Sequence, residues 1–312
     1  MNNTGLRTYT QLDADQLEAL HRLEDICNEH DQIILKLNWD SLRARTGDVA
    51  NDYVYIVDGE IVGFLGIYQF CASEVEISGM VHPDYRRQGI FSQLVKEAQQ
   101  ECRRRQVEKI IFICARPSLS GKEYLESIGS KCSFSEYWMT LTGEHVQDVD
   151  HPPAKIELRQ AEMGDMALLT RLNMDGFDMN EEDARGYVET AMLSQQDYIF
   201  IADCQQENGE WLPIGKIHVM REEGSAFLFG FSIQPEHRGR GYGRWILRSI
   251  IERMKEQQPT AKIELEVAVE NERALGLYTS CGFHVRNVND YYVLELTSER
   301  VEHAASDNIV VK

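Results

Sequence analysis

Apolar and polar positions are most clearly patterned in the second half of the chain. An apolar strand ends at Phe231-Ser-Ile233, and a turn with glycines at 239, 241 and 243 follows. Ile246, Leu247, Ile250, Ile251 and Met254 then recur at helical spacing, which predicts strand, loop and amphipathic helix in that order. Ile263–Val269 alternates as a half-buried strand does, with Glu264, Glu266 and Ala268 on one face. A short helix begins at Asn271 and is closed by Gly282. Tyr291–Leu296 supplies a closing strand for this half.

The first half repeats the plan. Val81–Phe91 parallels Ile233–Gly243 at an offset of 152, with Pro83 opposite Pro235 and Gly89 opposite Gly241. The same offset relates Gly63 to Gly215, each after an apolar strand (Tyr53–Val57 and Tyr198–Ala202). Parallel patterns at one offset imply duplicated domains. The pattern predicts an α+β domain over 1–141, a linker over 142–155 containing Gly143, Pro152 and Pro153, a second domain over 156–297, and a tail over 298–312.

Composition narrows the partners. A net charge of −19, shared by both halves of the 312-residue chain, argues against nucleic acid and anionic membranes and favours the approach of cationic amines. No run of eighteen apolar residues occurs and Met1–Gln11 is polar, so neither a membrane span nor a signal peptide is expected. The seven scattered cysteines, never in Cys-x-x-Cys spacing, predict a reduced, cytoplasmic protein. The nine histidines form no ligand-spaced cluster, and no metal is expected.

The turn itself carries chemistry. Three glycines before a helix let successive N–H groups converge where the helix dipole is positive, which favours a pyrophosphate or similar anion. Arg238, Arg240 and Arg244 add positive charge. The spacing is neither a P-loop nor Gly-x-Gly-x-x-Gly. It resembles the acyl-CoA motif of the GCN5-related N-acetyltransferase (GNAT) superfamily, Arg/Gln-x-x-Gly-x-Gly/Ala, with Arg238, Gly241 and Gly243 in its positions. A second segment is similar to the other half of that superfamily's site, through Glu266, Asn271, Ala274, Leu277, Tyr278, Gly282 and Phe283. The resemblance implies a mixed, mostly antiparallel sheet splayed between its fourth and fifth strands. Acetyl-CoA would lie in the opening, against Ser232, Ile233, Arg238, Gly239, Arg240, Gly241, Tyr242, Gly243, Arg244 and Asn271.

The implied reaction is acetyl transfer to a primary amine by direct attack. An alkyl amine of pKa about 10.4 is neutral in only about one part in a few thousand at pH 7, so a base is needed. The resemblance gives that role to Glu266, with Glu264 as the substitute, and gives Tyr278 the protonation of the departing thiolate. Asn271 suits either the pantetheine amides or plain N-capping, and a β-strand N–H at Ser232 or Ile233 would stabilise the oxyanion. Cys281 reads as a buried small residue rather than a nucleophile. In the first half Ile113, Ser118 and Leu125 stand at the positions of Glu266, Asn271 and Tyr278, and Phe91 replaces Gly243. Those changes predict that this half lacks the chemistry, and that Phe91 crowds a phosphate or redirects the loop. Asp175, Asp178, Glu181, Glu182 and Asp183, with Phe177 and Met179, either select a cationic small-molecule amine or peptide N-terminus, or form a solvated helix start. A non-catalytic acyl-CoA sensor and a longer acyl donor are the competing readings. Duplication makes a monomer plausible, because one chain can supply the contact that single-domain relatives gain by dimerising.

Overall fold

The computed structural model describes residues 4–47, 49–69, 73–142, 155–177, 179–222 and 224–296. Residues 143–154 of the predicted linker, the predicted tail 298–312 and Asp178 lie outside these. The chain forms two compact units, Met1–Ser133 with Asp290–Lys312, and Phe134–Asn289.

In chain order the first unit contains β1 (Gly5–Tyr9), α1 (Ala14–Asp31), α2 (Trp39–Arg43), β2 (Asp52–Val57), β3 (Glu60–Tyr68), β4 (Glu74–Val81), α3 (Ile90–Arg104), β5 (Lys109–Ala115) and α4 (Leu119–Ser127). Strand β6 (Lys131–Leu141) leads into β7 (Ile156–Gln160), α5 (Met166–Phe177), α6 (Glu181–Leu193), β8 (Asp197–Gln205), β9 (Trp211–Glu222) and β10 (Ser225–Ile233). Helix α7 (Tyr242–Gln257), β11 (Lys262–Ala268), α8 (Glu272–Ser280) and β12 (Phe283–Glu295) complete the second series.

Each unit is an α+β layer structure. Strands β1 to β4 pair antiparallel in order, and β4 meets β5 in parallel. Strands β7 to β10 repeat that arrangement, with β10 parallel to β11. Helix α7 covers one face of the second sheet by burying Ile246, Leu247, Ile250, Ile251 and Met254, the set its spacing predicts. Each such side chain contributes roughly 1.5–3 kcal/mol relative to exposure. Helices α5 and α6 cover the other face through Leu169, Val188 and Ala191 against Ile199 and Ile201. In the first unit α3 packs on one face and α1 on the other. No described helix is long and apolar enough to cross a membrane.

The units are not the contiguous blocks 1–141 and 156–297 that the repeat predicts. From Phe134 onward β6 belongs to the second unit, where Glu136–Thr140 pair antiparallel with Ala268–Glu264. The predicted closing strand of the second half instead joins the first unit. There Tyr292 and Leu296 enter the core, Asp290 pairs with Arg116 at 2.7 Å, and the Leu296 N–H donates to Glu108 O. Alternation identifies a strand but not its partner, so the repeat alone leaves this exchange open.

Candidate active site

The opening in the second sheet arises where two strands part. Parallel pairing of β10 with β11 runs only from Ser225–Lys262 to Leu228–Leu265. Beyond it β10 follows β9 as far as Ile233, while β11 follows β6 as far as Ala268. The first unit does the same, since β4 and β5 pair only from Glu74–Lys109 to Ile77–Phe112.

The glycine turn sits at the mouth of this opening. After a 3-10 turn at Pro235–His237, Gly239 and Gly241 adopt φ of 75° and 85°, a region that costs most other residues about 1 kcal/mol or more. Gly241 is the N-cap of α7, so the first N–H groups of a 16-residue helix are presented together. Arg238 is engaged with the backbone: its Nε donates to Ile233 O at 2.7 Å and ties the loop to the strand end. Arg240 and Arg244 are exposed. Tyr242 is buried, and its hydroxyl accepts from Cys204 Sγ at 3.6 Å. A Cβ on Gly243 would lie 3.3 Å from both Ile233 Cδ1 and Leu277 Cδ2, so this glycine lets α7 approach β10 and α8. Arg273, which motif reading overlooks, brings Nη2 to 3.7 Å from where a Cβ on Gly239 would be. Its only sequence signal is a basic residue two places after Asn271.

The predicted acid and base stand on the β11 side. Tyr278 is half-buried on α8 with its ring edge-on to Phe283, and its hydroxyl makes no hydrogen bond among the described residues. Burial, with a smaller contribution from the nearby Cys281 thiol, pushes its pKa up to about 12, so the phenol keeps its proton at neutral pH. Glu266 is half-buried on β11 and lies opposite Trp138 in the register with β6. Glu264 is held by Lys262 at 2.9 Å and Arg286 at 3.0 Å, which removes it as a ready substitute. Asn271 caps α8, accepting from the Ala274 N–H at 3.1 Å. Burial raises the Cys281 thiol above its ordinary range, which keeps it protonated and unreactive.

On the α5 face Ser232 meets the end of α5, where a Cβ on Gly176 would come within 2.8 Å of Ser232 Cβ. Asp175 is exposed, and Glu181, Glu182 and Asp183 form the first turn of α6 behind the Asn180 cap, where they suit the helix dipole. Lys216 and His218, both 0% exposed, face the same side from β9. They alternate with Ile217 and Val219, a pattern that reads as an ordinary polar strand face.

In the first unit a cavity of about 320 Å³ lies at the corresponding position, lined among others by Arg86, Gly89, Phe91, Ser118 and Tyr124. Phe91 does not redirect the loop. Gly89 keeps φ 76° as the N-cap of α3, and Arg86 Nε donates to Val81 O at 2.9 Å as Arg238 does to Ile233.

Known proteins carry the same architecture. The sequence matches the Acetyltransferase (GNAT) family over residues 15–126 and again over 166–283, and the chain belongs to that family as a tandem two-domain member. It is 25% identical to a mycothiol acetyltransferase of Propionibacterium freudenreichii, over 97% of this chain and 96% of the relative. It is 30% identical to the ribosomal protein bS18-alanine N-acetyltransferase of Escherichia coli, over 33% of this chain and 68% of that protein. Among solved structures, a GCN5-related N-acetyltransferase from Sphaerobacter thermophilus superposes with a TM-score of 0.76 at 18% identity, covering 93% of this chain and 95% of that one. A tandem GNAT protein from the clavulanic acid biosynthesis pathway gives 0.67 at 15% identity, over 94% and 99%. Acetyltransferases of this family take their acyl group from acetyl-CoA.

Proposed function

We propose that the second unit transfers the acetyl group of acetyl-CoA to a primary amine by direct attack. The helix α7 N-terminus, with Arg240, Arg244 and Arg273 around it, would take the pyrophosphate. Arg238, Gly239, Gly241 and Gly243 shape that loop, while Ser232, Ile233 and Asn271 border the pantetheine path. Acetyl-CoA supplies the activated acyl carbon. Glu266, directly or through a water, takes a proton from the attacking amine as the C–N bond forms. The C–S bond then breaks, and Tyr278 gives its proton to the leaving thiolate. No covalent acyl-enzyme is needed, in keeping with the raised thiol of Cys281.

The observation that carries this reading is the Tyr278 hydroxyl, neutral and without a hydrogen-bond partner among the described residues, on the helix that packs against the glycine loop. The names of similar proteins (spermidine N(1)-acetyltransferase of Vibrio cholerae and ribosomal protein bS18-alanine N-acetyltransferase) support an acceptor that is a small amine or a peptide N-terminus. The first unit, with Leu125, Ser118 and Ile113 in place of Tyr278, Asn271 and Glu266, would serve a structural or regulatory role.

The test is acetyl transfer across polyamines, aminoglycosides, amino acids and peptides, followed as a product mass gain of about 42 Da, with wild type beside Tyr278→Phe. Product from wild type, strongly reduced in the variant at unchanged acetyl-CoA affinity, is expected. Tight acetyl-CoA binding with no amine modified would favour a non-catalytic sensor instead.

A further inference from the structure

Strand β10 carries one residue more than its counterpart in the first unit. There, β3 and β4 pair without interruption from Gly63–Val81 to Tyr68–Glu76. In the second unit β9 and β10 pair at Gly215–Ile233 and Lys216–Ser232, then resume at His218–Phe229, so three steps along β10 answer two along β9. Gly230, at φ 54°, lies in the resulting bulge. A bulge withdraws a carbonyl from the ladder, and here Lys216 answers it, with Nζ donating to Gly230 O at 3.0 Å.

Every element packed against Lys216 contributes a defined group. Its Nζ is 3.0 Å from His218 Nε2 on β9, and His218 Nδ1 is 3.4 Å from the Tyr187 hydroxyl on α6. The Phe177 ring on α5 lies 4.9 Å from Nζ and the Tyr187 ring 5.9 Å. On β8, Ile201 and Ile199 stand beside Lys216 and His218 in register. Among the described residues no carboxylate pairs with this ammonium, and burial alone brings its pKa down to about 7. Burial, and then the neighbouring Lys216, depress His218 far below its ordinary range. An uncompensated buried amine lowers stability, and the first unit avoids it, with Phe64 and Gly66 at the corresponding positions.

The direction of the contact gives it a use. The chain has no cis peptide bond among the described residues. In a trans peptide the N–H points opposite to the C=O. Because Lys216 reaches the Gly230 carbonyl from β9, the Phe231 N–H of the same peptide points away from it, to the side where β11 has diverged after Leu265. A cation on the carbonyl strengthens that N–H as a donor.

We propose that Lys216 is a positioning residue for acetyl transfer: it fixes the Gly230–Phe231 peptide and polarises the Phe231 N–H toward the thioester carbonyl oxygen of acetyl-CoA. The inference rests on the reading of this opening as the acetyl-CoA site. As the amine adds, the carbonyl π electrons move onto oxygen, and the Phe231 N–H donates to the oxyanion. They return as the C–S bond breaks and the thiolate takes its proton from Tyr278. Lys216 exchanges no atom with the substrate.

The test uses acetyl-CoA carrying ¹³C at the thioester carbonyl, bound to the full chain and read by difference infrared spectroscopy. In wild type the carbonyl band should fall below that of free acetyl-CoA, and in Lys216→Met it should return most of the way. Turnover with an accepted amine should drop about ten- to a hundredfold, with KM for acetyl-CoA little changed. An identical band in both proteins, with acetyl-CoA bound to each, overturns the role of Lys216 and leaves the site assignment standing. Failure of wild type to bind acetyl-CoA overturns both. If the variant does not fold, the wild-type band is followed from about pH 5.5 to about pH 9. It should move toward the free value as Lys216 loses its proton, and a band that stays fixed overturns the proposal.

Discussion

Helices α3 and α7 begin with the same backbone and different side chains. Arg87 at φ 62° and Gly89 at φ 76° in the first unit stand where Gly239 at φ 75° and Gly241 at φ 85° stand in the second. In both, an arginine Nε ties the loop to the last carbonyl of the preceding strand. The packing beneath is exchanged. In the second unit the strand supplies Phe231 and the helix supplies Gly243; in the first the strand supplies Gly79 and the helix supplies Phe91, whose ring would meet a Cβ on Gly79 at 2.8 Å. The loop conformation therefore survives a swap of large and small residues across the strand–helix contact. What separates the units lies elsewhere: in the β10 bulge with Lys216 and His218, and in Tyr278 and Glu266, for which the first unit has Leu125 and Ile113.

The sharpest break in this comparison is a matched pair of tyrosine substitutions. Tyr278→Phe should lower turnover about 10²- to 10³-fold, as loss of a general acid does. Tyr124→Phe, on the equivalent helix against Phe91, should change turnover by less than about twofold when assayed alongside, because it removes a hydroxyl from a unit outside the proposed chemistry. Smaller but still large, Glu266→Gln should lose about 10²-fold while Glu264→Gln, which only frees Lys262 and Arg286, stays near wild type.

Stability sharpens the comparison further. An unfolded lysine stays protonated to about pH 10.4, whereas burial lowers folded Lys216 to about 7. Between those values the unfolded chain binds more protons, so Lys216 makes the second unit more stable as pH rises and less stable as it falls toward 7. Lys216→Met should remove that slope and raise stability at pH 7 by about 1–3 kcal/mol, read from urea midpoints at pH 7 and 9. In the first unit a Cβ on Gly79 would lie 2.7 Å from Phe64 O, a backbone atom that cannot yield cheaply. Gly79→Ala should therefore cost about 1–3 kcal/mol, against less than about 1 for Gly243→Ala, whose contacts at 3.3 Å are side-chain methyls. The smallest effect is expected at exposed Arg87, where Arg87→Gly relieves a left-handed backbone and should stabilise by about 0.5–1 kcal/mol in the same melts.

Much of this architecture is legible in the residue pattern because burial repeats with backbone period. The five aliphatic positions of α7 are buried as their spacing requires, and Ile263, Leu265 and Val267 face the core while Glu264 and Glu266 do not. Asn271 caps its helix, a local interaction that needs no tertiary contact. Arg238 and Tyr242 were legible as loop residues but not in their orientation: one turns back to a strand carbonyl and the other into the core. Lys216 and His218 escaped notice because alternation assigns them a polar face without telling that α5 and α6 cover it.

The sequence by itself determined two copies of one α+β plan, the glycine loop and the family to which the chain belongs, because each follows from local backbone preference and short-range periodicity. Only the tertiary structure decided which unit receives Phe134–Leu141 and which receives Asp290–Leu296, where β10 takes its extra residue, and that a lysine lies buried behind it. Strand partners, bulges and burial depend on residues far apart in the chain, and no spacing within a single segment encodes them.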